Sequence, residues 1–332
     1  MRVLAVIQRP ELASSRIRVT DMAPPLRRLG VDCEVVAYPK SIAGLWRLVA
    51  SAAASDLVWL QKKLPGPADV LLWRTLRVPV VFDFDDAVCF RKEPRWGSHR
   101  SITRERRFRR MTGLAAGVTC GNRYLAELVP DATKPCLVYP SPVPLDVPRH
   151  DYAAVAGPLV VGWIGGGGNL GSLARVAPAL AAAASRQELV LRVISDRPFE
   201  FAGLRVENVP WSLAGQASAV AGLDLGLMPL RGDSPFDRGK CSYKVLQYMA
   251  AGVAPAADAV GMNQEVIRDD ENGRLVPAES GWFEVLAALL AAGRPGLARL
   301  GAAGRRAAEE SFGYDVNAGR LAGFFRTLLG KS

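Results

Sequence analysis

Short apolar runs, each followed by a segment with apolar residues at helical spacing, recur along this chain and constrain its fold more than any other feature. Val3–Ile7, Cys33–Ala37, Asp56–Leu60, Val78–Phe82, Gly117–Thr119 and Cys136–Val138 read as strands, and Ile17–Leu29 as a helix stopped by Gly30. Short strands alternating with helices belong to a parallel sheet covered on both faces. Residues 139–158, YPSPVPLDVPRHDYAAVAGP, break the rhythm with five prolines. Proline removes a backbone donor and fixes the chain, so this stretch reads as a linker. Strands resume at Leu159–Ile164, Leu189–Ile194, Arg205–Val209, Leu223–Met228 and Val253–Ala256, and helices read over Gly281–Ala292, Leu297–Glu310 and Leu321–Leu329. The expected architecture is α/β, two doubly wound parallel-sheet domains in tandem, over residues 1–150 and 151–312, with residues 313–332 as a terminal helix.

The formal charge of +10 favours anionic partners such as phosphates or an acidic lipid surface. No nucleic-acid motif accompanies the charge, so nucleic acid is not an expected partner. The cysteines Cys33, Cys89, Cys120, Cys136 and Cys241 form no C-x-x-C pair, which argues against a disulfide framework or a zinc knuckle. The opening MRVLAVIQRP turns polar too soon for a signal peptide, and no apolar stretch reaches the roughly 18 residues of a membrane span. A cytoplasmic location is expected.

Two segments carry the chemistry. In the first, a helix over Tyr243–Ala251 is expected to be capped by Ser242, stopped by Gly252 and followed by Pro255. Lys244 falls in its first turn and Lys240 just before it. Cations there oppose the helix dipole, which makes sense where an anion sits between them and the backbone amides. The second is the strand Leu159–Ile164 running into Gly165-Gly166-Gly167-Gly168-Asn169-Leu170-Gly171. Glycines let backbone N–H groups approach phosphate without a Cβ clash. Gly166, Gly168 and Gly171 also satisfy G-x-G-x-x-G, and Asp196 after the next strand would be the ribose acid of a nicotinamide site.

Residues Gln247-Tyr248-Met249-Ala250-Ala251-Gly252-Val253-Ala254-Pro255, then Gly261, Glu265, Ile267 and Asn272-Gly273-Arg274-Leu275-Val276, form a long ordered match. It resembles the donor-binding segment of glycosyltransferase family 4 and its relatives. Two positions depart from the pattern. Gln247 replaces the glutamate that receives the ribose hydroxyls, and Gly239 replaces the acid that touches the donor sugar. Asp237 or Asp233 are the candidates to substitute for that acid.

The resemblance implies a GT-B fold, in which two Rossmann-like domains face a central cleft and the last helix returns to the first domain. It implies a sugar transferred from a nucleotide-diphosphate sugar to a glycan, lipid-linked or small-molecule acceptor, in cell-surface glycan or glycolipid synthesis. Retention at the anomeric carbon is implied, with neither metal nor other cofactor. Lys240 and Lys244 would then stabilise the leaving diphosphate, and Gly165, Gly166, Gly167, Gly168, Ser242, Tyr243, Gln247 and Glu265 would bind the donor. Arg16 and Arg18, after the first strand, are candidates for phosphate or acceptor contacts. Since both family acids are replaced, a non-catalytic nucleotide-sugar binder stays open beside the enzyme.

Asp83, Asp85 and Asp86 crowd the end of one strand, and three readings compete. In a GT-B transferase, Asp85 or Asp86 orients the acceptor hydroxyl. In a D-x-D motif, Asp83 and Asp85 hold a divalent metal. In a haloacid-dehalogenase-like phosphatase, Asp83 is the nucleophile and Asp85 the general acid, with Gly232-Asp233-Ser234-Pro235-Phe236-Asp237 as the magnesium motif. The arginines between Arg100 and Arg110, with Phe108 and Met111 among them, fit an anionic membrane surface, a peripheral location on the inner face.

Overall fold

The computed structural model describes residues 1–64, 66–232, 234–277 and 281–331. Contacts divide the chain into two units: Met1–Pro142 with Ser234–Cys241 and Tyr314–Ser332, and Val143–Asp233 with Ser242–Gly313. The first break falls within the proline-rich stretch, and the first unit also takes eight residues from the middle of the second half. Asp233, one of the substitutes considered for the missing acid, lies outside the described residues.

The first unit holds β1 (Arg2–Ile7), β2 (Asp32–Ala37), β3 (Leu57–Gln61), β4 (Val80–Phe84), β5 (Gly117–Cys120) and β6 (Cys136–Val138), all parallel in the order β2-β1-β3-β4-β5-β6. Every residue of β3 and β4 is buried, as the near-continuous apolar runs of a doubly covered parallel sheet demand. The exceptions to apolarity, Gln61 and Asp83, stand at or near the C-terminal ends of those strands. The core joins Val3, Ala5, Ile7, Trp59 and Val81 to Ala318, Leu321, Ala322 and Phe325 of the last helix, Tyr314–Leu328.

The helix expected over Ile17–Leu29 is divided. A five-residue π stretch, Arg16–Thr20, precedes a short α-helix, Ala23–Arg28. Pro24 and Pro25 supply no N–H for a continuous ladder and instead take up the first turn of the new helix.

The second unit holds β7 (Leu159–Ile164), β8 (Leu189–Ser195), β9 (Val206–Pro210), β10 (Leu225–Met228), β11 (Ala254–Asp258) and β12 (Arg274–Val276), again all parallel, in the order β12-β11-β10-β7-β8-β9. The order reverses between β7 and β10. β12 lies in the Asn-Gly-Arg-Leu-Val segment and was not expected as a strand, since three residues are too few to show a period.

The helical stretch Gly281–Ser311 has mean hydropathy 1.2 over an 18-residue window. It breaks at Gly293, whose φ of 59° and ψ of −170° are not helical, just before Pro295. Its Trp282, Leu286, Leu290, Leu297 and Leu300 belong to the core of the second unit, so its apolar residues are spent on packing within the fold.

Candidate functional site

In a doubly wound sheet, ligands bind outside the C-terminal ends of the strands where the strand order reverses. In the second unit that point lies after β7 and β10, and the glycine loop leaves β7 there. Gly165 is required by close approach: a Cβ on it would come 2.6 Å from the Trp163 ring and 3.0 Å from Cε of Lys244. The Lys244 stem therefore lies along the loop backbone, with its ammonium 5.6 Å from the centre of the Trp163 ring. The loop and the first turn of the helix Tyr243–Ala250 are thus in contact.

The four loop amides are not equivalent. Gly165 N–H donates to Ile194 O at 3.0 Å, continuing the β7–β8 ladder. Gly167 N–H donates to the Asp196 carboxylate at 2.5 Å. That bond holds the Asp196 carboxyl below the usual carboxylate range. Asp196, weighed as a ribose acid, here caps the loop: an anionic oxygen already occupies one of its amides. Gly166 N–H has no partner among the described residues.

Ser242 does not cap the helix. Its backbone is left-handed, φ 49° and ψ 25°, which turns the hydroxyl away from the first-turn amides. Ser242 Oγ instead donates to Asn263 Oδ1 at 2.7 Å, and Asn263 Nδ2 donates to Asp258 O at 2.9 Å. This buried chain ties the helix start to the end of β11 and to the turn Asn263–Val266, which carries the exposed Glu265. Gln247, on the same helix, donates from Nε2 to Gln216 Oε1 at 3.2 Å. Lys244, Tyr243, Ser242, Glu265 and the glycine loop thus gather at one end of one sheet.

By its contacts Lys240 belongs to the first unit, where its ammonium is 3.4 Å from Asp86. There Lys62 pairs with Asp85 at 2.9 Å and Asp86 at 2.5 Å. Asn122 Nδ2 donates to Lys240 O at 3.0 Å, and Cys241 Sγ contacts Asp85 O at 3.1 Å. Lys62 escaped the sequence reading. The signal was available: a lysine directly after a buried strand of a parallel sheet. Its φ of 57° is an uncommon backbone state for a side chain with a Cβ, and such states collect at functional sites.

Burial by itself pushes the Asp86 carboxyl up, but the ammonium groups of Lys62 and Lys240 outweigh that and hold it below the usual range. A carboxyl lowered on folding adds stability that is complete above the unfolded value and fades as pH falls through the lowered one. Acid titration of the folded protein should therefore show a destabilising limb below the ordinary carboxylate range, and Asp86→Asn should flatten it. An identical limb in the variant would remove Asp86 as its source.

Gly239, where the family pattern has an acid, is closely surrounded, so a side chain there would press on its neighbours. A Cβ there would lie 3.0 Å from Ala87 N and 3.1 Å from both Ala87 Cβ and Leu125 Cδ2. Restoring the acid with Gly239→Asp should cost about 1–3 kcal/mol through overpacking. A urea midpoint equal to that of the wild type would contradict this packing.

Arg18 requires a correction. It is fully buried and so is not a contact for phosphate or acceptor. Its Nε and Nη2 hold Asp83 at 2.9 and 2.5 Å, its Nη1 donates to Tyr139 O at 2.7 Å, and its guanidinium packs over the Tyr139 ring. Thr119 Oγ1 also donates to Asp83, at 2.7 Å. Burial opposes the charge on Arg18, and Asp83 more than restores it, raising its pKa above the ordinary value. The same geometry corrects the phosphatase and D-x-D readings. Asp83 is 0% exposed with both oxygens engaged, so it cannot attack a substrate, and Asp85 is taken by Lys62. Arg16 is half-buried on the π stretch and pairs with Asp21 at 3.1 Å.

No protein-family model and no curated protein matches the chain. Solved structures do. A sucrose-phosphate synthase from Thermosynechococcus elongatus is similar over 100% of both chains, with TM-score 0.75 and 14% identity. HepE of Anabaena, in complex with UDP and glucose, is similar over 98% of this chain and 100% of its own, with TM-score 0.74 and 16% identity. A glycosyltransferase from Rickettsia africae covers 100% of this chain with 99% of its own, with TM-score 0.72 and 10% identity. At such identities the likeness is one of fold, and the chain has the GT-B fold of these proteins.

Proposed function

We propose that this GT-B chain is a glycosyltransferase that moves a sugar from a nucleotide-diphosphate sugar to a hydroxyl acceptor. The observation that carries this reading is the contact of Lys244 with the glycine loop at the strand-order reversal of the second unit. A cation, a helix N-terminus and a loop amide converge where a diphosphate is best received. Binding of UDP and glucose by HepE, on the same fold, supports it.

In this proposal the anomeric C–O bond breaks and its electron pair leaves with the diphosphate, whose growing charge Lys244 and the loop stabilise. The acceptor oxygen bonds to the anomeric carbon on the face the diphosphate leaves, giving retention. Its proton passes to the departing phosphate oxygen. No resident metal is needed, because Lys244 supplies the positive charge. Gln247 stands at the ribose position as a neutral hydrogen-bonding group. Asp85 and Asp86, with Lys240, belong to the acceptor side.

A thermal-shift screen of nucleoside diphosphates tests the donor half. A nucleotide at 100 times its dissociation constant should stabilise the fold by about 2.7 kcal/mol. No shift with any nucleotide would end the proposal. Binding with no transfer to any acceptor would replace it with a nucleotide-sugar binder.

The arginines of Arg100–Arg110, all but Arg100 on the helix Ile102–Leu114 that opens with the exposed Ile102, support placement on an anionic membrane surface at the inner face. Sedimentation with liposomes should require anionic lipid. Equal recovery with neutral vesicles would exclude that placement.

A further inference from the structure

A cavity of about 490 Å³ opens in the first unit beyond the C-terminal ends of β1, β3 and β4. Its volume suits a small sugar-sized ligand. Asp86, Lys63, Arg104 and Arg107 are all among the residues that line it.

The charges on these walls do not balance. Asp85 and Asp86 are matched by Lys62 and Lys240. Lys63 has no carboxylate partner among the described residues; its ammonium sits 4.5 Å over the Tyr38 ring. Among the described residues the Arg104 guanidinium makes only a long bond to Val88 O, at 3.4 Å, and Arg107 has no ion pair. Arg104 and Arg107 are three apart on the helix Ile102–Leu114 and so share a face. Like charges at that spacing repel, and nearby Glu105 is turned to Arg100 at 3.4 Å. Three cations lining one cavity without a carboxylate among the described residues are relieved by an anion, and paired guanidinium groups suit the oxygens of phosphate.

We propose that this cavity binds the phosphate of a phosphorylated acceptor, with Lys63, Arg104 and Arg107 holding the phosphate and Asp86 facing the hydroxyl end. The word acceptor rests on the transferase reading above; the anion site itself does not. Phosphate reaches such a pocket from two sources, a soluble sugar phosphate or a phospholipid headgroup.

The test is calorimetric titration of the full chain, saturated with whichever nucleoside diphosphate stabilises it, with glucose 6-phosphate and with glucose. In parallel, vesicles of phosphatidylcholine with and without phosphatidylinositol 4-phosphate are sedimented with the protein. One phosphate-bearing ligand should bind at least roughly tenfold tighter than its neutral counterpart. The double variant Arg104→Ala/Arg107→Ala should lose that preference, and Lys63→Ala should weaken it. Arg74→Ala/Arg77→Ala removes the same charge from an exposed part of the same unit and should keep the preference, separating the pocket from the overall field.

Preference for glucose 6-phosphate identifies a soluble acceptor, and preference for the phosphoinositide vesicle alone, over vesicles of equal charge in phosphatidylserine as well as over phosphatidylcholine, identifies a lipid-borne one. Equal binding of charged and neutral ligands in both arms overturns the proposal, as does a preference that survives in Arg104→Ala/Arg107→Ala. Nucleotide binding should be unchanged in every variant. If no nucleotide binds but the phosphate preference stands, the transferase reading falls and the anion site remains.

Discussion

Lys244→Ala is expected to lower turnover by roughly 100–1,000-fold while leaving the fold intact, the loss typical of removing one preorganised charge contact from a transition state. The stem of Lys244 runs along Gly165 and its head lies over the Trp163 ring, so its position is set by packing before any ligand arrives. Charge builds on the diphosphate as the sugar departs. The loss should therefore appear in kcat and in kcat/KM together, with a smaller change in KM. Lys244→Arg, which keeps the charge, should recover part of the rate. Turnover of Lys244→Ala at the wild-type level would show that the diphosphate is stabilised elsewhere.

Asp83→Asn carries the largest expected loss of stability, about 3–5 kcal/mol, the range for breaking one partner of a buried ion pair. Asp83 and Arg18 are both 0% exposed, and the amide would leave a guanidinium without its counter-charge in the interior. Chemical denaturation should show an earlier midpoint with an unchanged slope. A shift below about 1 kcal/mol would mean that water or a nearby group takes over the charge. Because Asp83 is enclosed, its loss acts through the fold and not through a lost nucleophile.

Most strands were legible because they are short, mainly apolar runs. β6 and β7 were read to the residue, the others except β12 to within a few residues at their ends, and β12, three residues long, was not read as a strand. The glycine loop and the Tyr243 helix were legible as local chemistry, since glycine runs and helix stops act over a few residues. The same locality explains the failures. Ser242 has the identity of a cap, yet its left-handed backbone and its bond to Asn263, 21 residues on, give it a different task. Arg18 looked like a ligand contact because it follows a strand, and its partner Asp83 is 65 residues away. Lys62 drew no notice for the reverse reason: its chemistry is supplied by Asp85 and Asp86 on a neighbouring strand end.

Periodicity of apolar residues, the places of glycine and proline, and the sum of charge are properties of neighbours along the chain. They were enough to establish two doubly wound sheets and to point at Lys244 and its loop. Which carboxylate meets which cation depends on strand order and register, which join residues tens of positions apart. That pairing sorts the acids of β4 and its end into the buried partner of Arg18 and the partners of Lys62 and Lys240. It leaves Lys63, Arg104 and Arg107 without a carboxylate among the described residues, because burial penalises an unpaired charge and so matches the inner groups first.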